Sequence, residues 1–237
     1  MTDFRYRGSE LELFAGVHNW KSYWAQRIRP FIRGDVLEVG AGIGSNTPFL
    51  DSGGNRRWTC IEPDSDLIAQ LAHNLKQLGV GRAYQAVCGM LQDLYVSEKF
   101  DTIIYIDVLE HIQNDREELE NAASRLRIGG RILVLSPAHQ ILFSPFDSSI
   151  GHFRRYNRST LRRLTPDSLR IERLFYLDSA GLLLSAANSL LLRQSMPTKT
   201  QLRFWDRCIV PISRVVDRLV WDMIGKSIIG IWRRVGG

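Results

Sequence analysis

Between residues 35 and 137, short apolar runs of strand length alternate with segments of helical period. That alternation restricts the chain to a parallel sheet with helices on both faces. Strands are predicted over 36–39, 58–61, 83–87, 102–106 and 131–135. The run 102–106 is unbroken in its apolar character, as expected of a strand covered on both faces. Helices are predicted over 45–50, 65–78 and 117–126. The second carries Leu67, Ile68, Leu71, Leu75 and Leu78 at helical spacing, and Gly129 and Gly130 are expected to end the third. A helix over 11–32 precedes this unit. After Pro137 the alternation breaks: 139–156 reads as loop and 159–164 as a short helix capped by Ser159. A sixth strand is predicted over 169–176, helices over 181–193 and 202–223 on either side of Pro197, and a last strand over 227–235. Pro211 should kink or split the second of these helices.

In such sheets ligands lie beyond the carboxyl ends of the strands, where strand order reverses. The first strand runs into Gly40-Ala41-Gly42-Ile43-Gly44, a turn where glycine tolerates the backbone and admits a ligand closely. A dinucleotide turn would have G-x-G-x-x-G with pyrophosphate at a helix start; here Asn46 stands where the third glycine would fall. Glu38, two residues ahead of Gly40, would repel pyrophosphate and suits a cation such as the amino group of a methionine. Glu62 ends the second strand, followed by Pro63, and a carboxylate there can accept two ribose hydroxyls. That spacing alone would serve an NAD enzyme equally. Gly89 and Met90 follow the third strand, where an adenine could be flanked, and Asp107 and Val108 follow the fourth.

The segments VLEVGAGIGSNT, CIEPD, FDTIIYIDVLEHI and LRIGGRILVLSP resemble the core of the class I S-adenosylmethionine-dependent methyltransferases. The resemblance implies a Rossmann-like α/β fold: a seven-stranded sheet with helices on both faces and a reversed last strand, 227–235. It also implies S-adenosyl-L-methionine as cofactor, with Glu38, Gly40, Ala41, Gly42, Asn46, Glu62, Pro63, Gly89, Met90, Asp107 and Val108 around it. A single domain is expected, with a helical cap over 1–33, a cofactor-binding core over 34–137, and an acceptor-side loop, helical insertion and last strands over 138–237. The segment SPFDSSIGHFRRYNRSTLRRL resembles bacterial methyltransferases of glycan and natural-product assembly.

Methyl transfer to a hydroxyl gains from a base that takes the proton, and histidine suits that task near neutral pH. His152, beside Arg154, Arg155 and Tyr156, is the first candidate base, with His111 second. Arg154, Arg155, Tyr156, His139 and Tyr23 are the candidate acceptor-binding residues. A second reading stays open, in which the arginines pair with carboxylates such as Asp147 and His152 tethers a loop. No carboxylate cluster points to a metal, and metal-independent chemistry is expected.

The chain has 237 residues, 44% hydrophobic and 24% charged, enough for one α/β domain. Its formal charge of +6, from 31 Lys+Arg against 25 Asp+Glu, suits an acidic substrate, a phosphorylated lipid, a membrane surface or a nucleic acid, and a plain solvated basic surface is the alternative; the acceptor classes expected are a small molecule, a glycan or a lipid-linked molecule. RNA methylation and a non-catalytic cofactor-binding scaffold are the alternatives. Exocyclic-amine nucleic-acid enzymes resemble one another in an Asn or Asp-Pro-Pro-aromatic run after the fourth strand, where this chain has Asp107-Val108-Leu109-Glu110, so nucleic acid is disfavoured. Cys60, Cys88 and Cys208 form no paired spacing; Cys60 and Cys88 are expected to be buried thiols. The polar stretch 1–10 has no apolar signal segment, and the apolar segment 180–192 is too short to span a bilayer. A cytoplasmic protein with peripheral contact at the inner membrane surface is expected. Arg203, Arg207, Arg214 and Arg218 would share one helix face, opposite Trp205, Ile209, Ile212, Val215, Val216 and Leu219.

Overall fold

The structure, a computed structural model, describes residues 10–51, 53–54, 57–78, 84–191 and 198–236. Seven strands form one sheet in the order β3-β2-β1-β4-β5-β7-β6. They are β1 (Asp35–Val39), β2 (Arg57–Glu62), β3 (Tyr84–Cys88), β4 (Phe100–Ile106), β5 (Leu126–Pro137), β6 (Leu169–Leu177) and β7 (Ser227–Arg234). The first five pair in parallel, and β7 runs antiparallel between β5 and β6. The Rossmann-like α/β fold with its reversed last strand is thus present. Strand order reverses between β1 and β4, so the crevice opens beyond Val39 and Ile106.

Alternation along each central strand divides the core in two. Val36, Cys60, Ile104 and Leu133 pack on one face with Trp20, Trp24 and Ile28 of α2 (His18–Ile28). Leu37, Ile61, Ile103 and Ile132 pack on the other with Leu119 and Ala122 of α5 (Asp115–Arg125). On the first face, α2 is tied to the late helical insertion. Asp206 accepts from the backbone N–H groups of Asn19 and Trp20 at 3.2 and 2.8 Å, satisfying donors that the first turn of a helix leaves open.

Several local boundaries differ from expectation. The 11–32 helix divides into α1 (Glu10–Ala15) and α2, then a single 3₁₀ turn, Arg29–Phe31. After Asn46 comes a single helical turn, α3 (Thr47–Leu50), and after β2 comes α4 (Ser65–Leu78). Gly129 and Gly130 lie inside β5 instead of ending the helix ahead of it: α5 ends at Arg125, and β5 bulges between the pairs Phe100–Leu126 and Thr102–Arg131. A side chain at Gly130 would meet the Asp101 carbonyl oxygen at 3.0 Å, so the bulge needs glycine there. The 139–156 loop contains a single turn and α6 (Pro145–Ser149). Asn157, not Ser159, caps α7 (Arg158–Leu164), accepting from the Thr160 N–H at 2.9 Å. Cys60 is buried, but Cys88 is exposed because it ends an edge strand.

The insertion consists of α8 (Ser179–Leu191), α9 (Lys199–Phe204), a wide π-type turn over Trp205–Ile209, and α10 (Val210–Leu219), with Pro211 in the first turn of α10. Pro197, Ala83 and residues 1–9 lie outside the described residues. The apolar face predicted for the 202–223 helix is divided, with Trp205 buried and Ile209 and Val216 half-buried. Val210, Ser213 and Asp217 turn inward, while Ile212, Val215 and Leu219 are exposed. Buried hydrogen bonds decide this: Asp217 accepts from the Tyr23 hydroxyl at 2.8 Å and the Asp178 and Ser179 N–H groups at 2.7 and 2.9 Å. Among the described residues no helix is long and apolar enough to cross a membrane.

Candidate active site

A cavity of about 570 Å³ opens at the carboxyl ends of the strands. Its floor is the glycine turn. The Gly44 N–H donates to the Ala41 carbonyl at 2.9 Å, and Gly40, Gly42 and Gly44 all have positive φ, at 62, 55 and 75°. Gly40 faces Val108, and a Cβ there would lie 2.7 Å from Val108 Cγ2. The close approach of β1 and β4 thus requires glycine on conformational and steric grounds. Lys21 of α2 reaches the far end of the turn and donates to the Ser45 hydroxyl and carbonyl oxygens at 2.7 and 3.2 Å. Burial lowers its ammonium pKa to about 8, against the pull of Asp107 and Glu38.

Glu62 stands beside the turn. One carboxylate oxygen accepts from the Gly42 N–H at 2.8 Å and the other from the Asp64 N–H at 3.1 Å. Burial raises its pKa, and those two bonds oppose the rise. A carboxylate accepts at about four positions, so two remain for a ligand. Gly40, Ala41, Gly42, Asn46, Pro63, Gly89, Met90, Asp107 and Val108 share the cavity wall with Glu62.

Glu38 does not line the cavity. Strand alternation turns it to the α2 face with Val36, where one carboxylate oxygen accepts from Thr47 Oγ1 at 2.8 Å and Trp58 Nε1 at 3.0 Å. It braces the turn from beneath, and its charge reaches Lys21.

The opposite wall comes from the segments after β4 and β5. Asp107 has φ 54°, a strained value for a non-glycine residue. Its surface opens to the cavity while surrounding protein desolvates the carboxyl, raising its pKa to about 6 against the attraction of His152, Lys226 and Lys21. His152 Nδ1 lies 2.9 Å from Asp147 Oδ1, and its Nε2 lies 3.8 Å from Glu110 Oε1. The His111 ring meets that of His152 edge-on at 4.5 Å. Burial lowers the His111 pKa to about 4. Glu110 is fully buried; its Oε2 accepts from Ser136 Oγ at 2.9 Å, whereas its Oε1 has no hydrogen-bond partner among the described residues. Burial and the nearby Asp107 push its carboxyl well above the usual range.

Of the predicted acceptor residues only Arg155 reaches this cavity. It grips Asp147 through Nε and Nη2 at 2.9 and 2.8 Å. Burial alone would raise Asp147, yet the bonds from His152, Arg155 and Ser144 hold its carboxyl below the usual range. Arg154 pairs with Asp115, and the Tyr156 hydroxyl donates to Asp115 at 2.8 Å, so both brace α5. His139 stacks on Tyr176 with its Nε2 3.0 Å from the Gly225 carbonyl oxygen. Tyr23 is held by Asp217. These four are outside the cavity because buried carboxylates, or in His139 a backbone carbonyl, engage them.

Sequence reading did not pick out Lys21, Glu110, Asp147 and Lys226 as cavity residues. Glu110 stands in the quoted IDVLEHI segment and Asp147 five residues before His152, so both had a local signal. Lys226 had none, since only the insertion of β7 beside β5 brings it here.

Residues 37–132 match the family model of a methyltransferase domain. Among solved structures, an S-adenosylmethionine-dependent methyltransferase from Clostridium acetobutylicum aligns over 96% of this chain and 96% of its own, at 11% identity and TM-score 0.59. The N-methyltransferase NodS of Bradyrhizobium japonicum in complex with S-adenosyl-L-homocysteine aligns over 92% and 88%, at 13% identity and TM-score 0.57. The [4+2]-cyclase SpnF aligns over 91% and 81%, at 16% identity and TM-score 0.64. At such identities the structures share the fold.

Proposed function

We propose that the chain is a class I S-adenosylmethionine-dependent methyltransferase, as its methyltransferase-domain match over residues 37–132 supports, and that it methylates a hydroxyl oxygen of a small-molecule, glycan or lipid-linked acceptor, with His152 as the base. The residues present fit the cofactor. Glu62 has two acceptor positions left for hydroxyls, the Gly40–Gly42 backbone admits a close ligand, and the acidic Asp107 and Glu62 suit a cation. When bound, the cofactor supplies an electrophilic methyl on a sulfonium.

The observation that carries the acceptor reading is the Asp147–His152 pair on the same cavity as the glycine turn. Asp147, held ionised by Arg155 and Ser144, accepts from Nδ1–H of His152 and fixes the tautomer, so the lone pair is on Nε2. A hydroxyl placed there loses its proton to Nε2 as its oxygen takes the methyl, a gain of about 10²–10⁴-fold. Lys226 and Arg155 add positive charge for an acidic acceptor.

The outward face of α10 favours a lipid-linked acceptor and peripheral membrane contact. Ile212, Val215 and Leu219 are exposed, Leu219 by 69%, followed in sequence by Trp221 at 82%. Arg203, Arg207 and Arg218 are exposed on the same helical run, a combination suited to anionic headgroups.

The test is methyl release from labelled cofactor against hydroxyl-bearing small molecules, glycans and lipid-linked sugars, for native protein and His152→Ala. The variant is expected to bind S-adenosylhomocysteine normally and to lose at least about tenfold in turnover. Equal turnover of the two would remove His152 as the base, and products methylated only on nitrogen or carbon would remove the oxygen acceptor. Co-sedimentation with anionic but not neutral vesicles tests the membrane contact.

A further inference from the structure

Glu110, His111 and His152 each turn a ligand-type atom into one small space, all within 4.8 Å of one another. Each of the three comes with an outer contact that fixes it. Asp147 takes the Nδ1 side of His152 at 2.9 Å and leaves Nε2 facing Glu110 Oε1 at 3.8 Å. Ser136 binds Glu110 Oε2 at 2.9 Å, and the Gly151 backbone hydrogen-bonds the His111 ring. Glu110 Oε1 is fully buried without a hydrogen-bond partner among the described residues. A buried carboxylate oxygen left this way keeps its desolvation cost uncompensated, and it faces the nitrogen of a histidine already oriented by a carboxylate. That carboxylate–histidine arrangement is the usual outer support of a metal-binding imidazole.

We propose that Glu110, His111 and His152 bind one divalent transition cation on the acceptor side of the cavity. Two imidazoles and one carboxylate suit zinc, iron, cobalt or manganese better than calcium. Bonds of about 2.0–2.2 Å set neighbouring ligand atoms about 3–3.5 Å apart, so modest side-chain rotation closes the set. Three protein ligands leave at least one position open, and the site shares the cavity with the glycine turn. The inference rests on the oxygen-acceptor reading above and changes its base: a hydroxyl held on such a cation would be acidified by the metal and would give its proton to the Asp107 carboxylate on the same cavity or to solvent, while His152 Nε2 would serve as ligand in place of base.

Co²⁺ is the probe, because its visible absorption reports coordination without any turnover. Chelator-treated native protein should bind one equivalent with a coordinated-cobalt spectrum, displaced by Zn²⁺. Glu110→Gln and, separately, His111→Gln should weaken binding at least tenfold, with circular dichroism confirming that each is folded. Absence of a coordinated spectrum in the native protein, or one that survives in both folded variants, overturns the proposal; the latter would mark adventitious binding at the exposed Cys88 and Cys208. S-adenosylhomocysteine affinity measured on the same samples keeps the two readings apart. Cofactor binding without cobalt binding defeats only the cation site, and cobalt binding without cofactor binding defeats only the methyltransferase reading.

Discussion

Replacing Glu62 by glutamine keeps the side-chain shape and removes its charge and one of its two acceptor ends. Glu62 now receives the Gly42 N–H at 2.8 Å on one oxygen and the Asp64 N–H at 3.1 Å on the other. An amide can serve only one of them and turns N–H against N–H at the other. A hydrogen bond to a charged group is worth about 1.5–3 kcal/mol, which corresponds to about 10- to 150-fold in an equilibrium constant. Part of this loss appears as stability, because the bond to Gly42 exists without ligand; about 2–4 °C of Tm per kcal/mol is expected for a chain of this size. The rest appears as cofactor affinity, since the amide also offers fewer acceptor positions to a ribose. Calorimetric titration with S-adenosylhomocysteine and a thermal melt on Glu62→Gln separate the two. A lowered Tm with affinity within threefold of native would make Glu62 only a brace for the turn and refute its role as ribose acceptor.

Gly40→Ala meets positive φ and a contact of 2.7 Å with Val108; left-handed backbone costs a non-glycine residue about 1–2 kcal/mol, so cofactor affinity by calorimetry should fall at least tenfold. Asp107, raised to about 6 by burial, is neutral below that pH and charged above it. Affinity for the cationic cofactor should therefore fall by up to about tenfold per pH unit below 6, and the step should vanish in Asp107→Asn. For the ligand-free protein the sign is opposite: a carboxyl raised from 3.8 contributes stability below that value and loses it as pH rises through 6. Tyr23→Phe removes one of three bonds to buried Asp217, and denaturant unfolding should show a loss of about 1–2 kcal/mol with unchanged cofactor affinity.

The sheet was legible because its signals are local and repeated. Apolar runs bounded by Gly40, Glu62, Gly89 and Asp107 placed four strand ends, and those residues meet at one cavity. What local pattern could not supply was partner choice over long separations. Tyr23 was a candidate acceptor contact, yet Asp217, 194 residues away, takes its hydroxyl. The inward face of α10 was hidden for the same reason: buried bonds to Asp217 outweigh exposure of Ile212, Val215 and Leu219. Glu38 was misplaced by one step of alternation, although its neighbours Val36 and Cys60 on the same face carried the information. Of the two readings of the His152 segment, the Arg155–Asp147 pairing is present, while Arg154 goes to Asp115. The grouping of Glu110 with His111 and His152 needed the backbone bond from Phe153 N–H to the Glu110 carbonyl at 2.8 Å, which no spacing rule foretells.

Parallel calorimetric titrations of the purified protein with S-adenosylmethionine and with NAD address the assignment of the crevice most directly. One equivalent of S-adenosylmethionine should bind, with no measurable heat from NAD at the same concentrations. Preferential binding of NAD, or no binding of the sulfonium nucleoside, would contradict it.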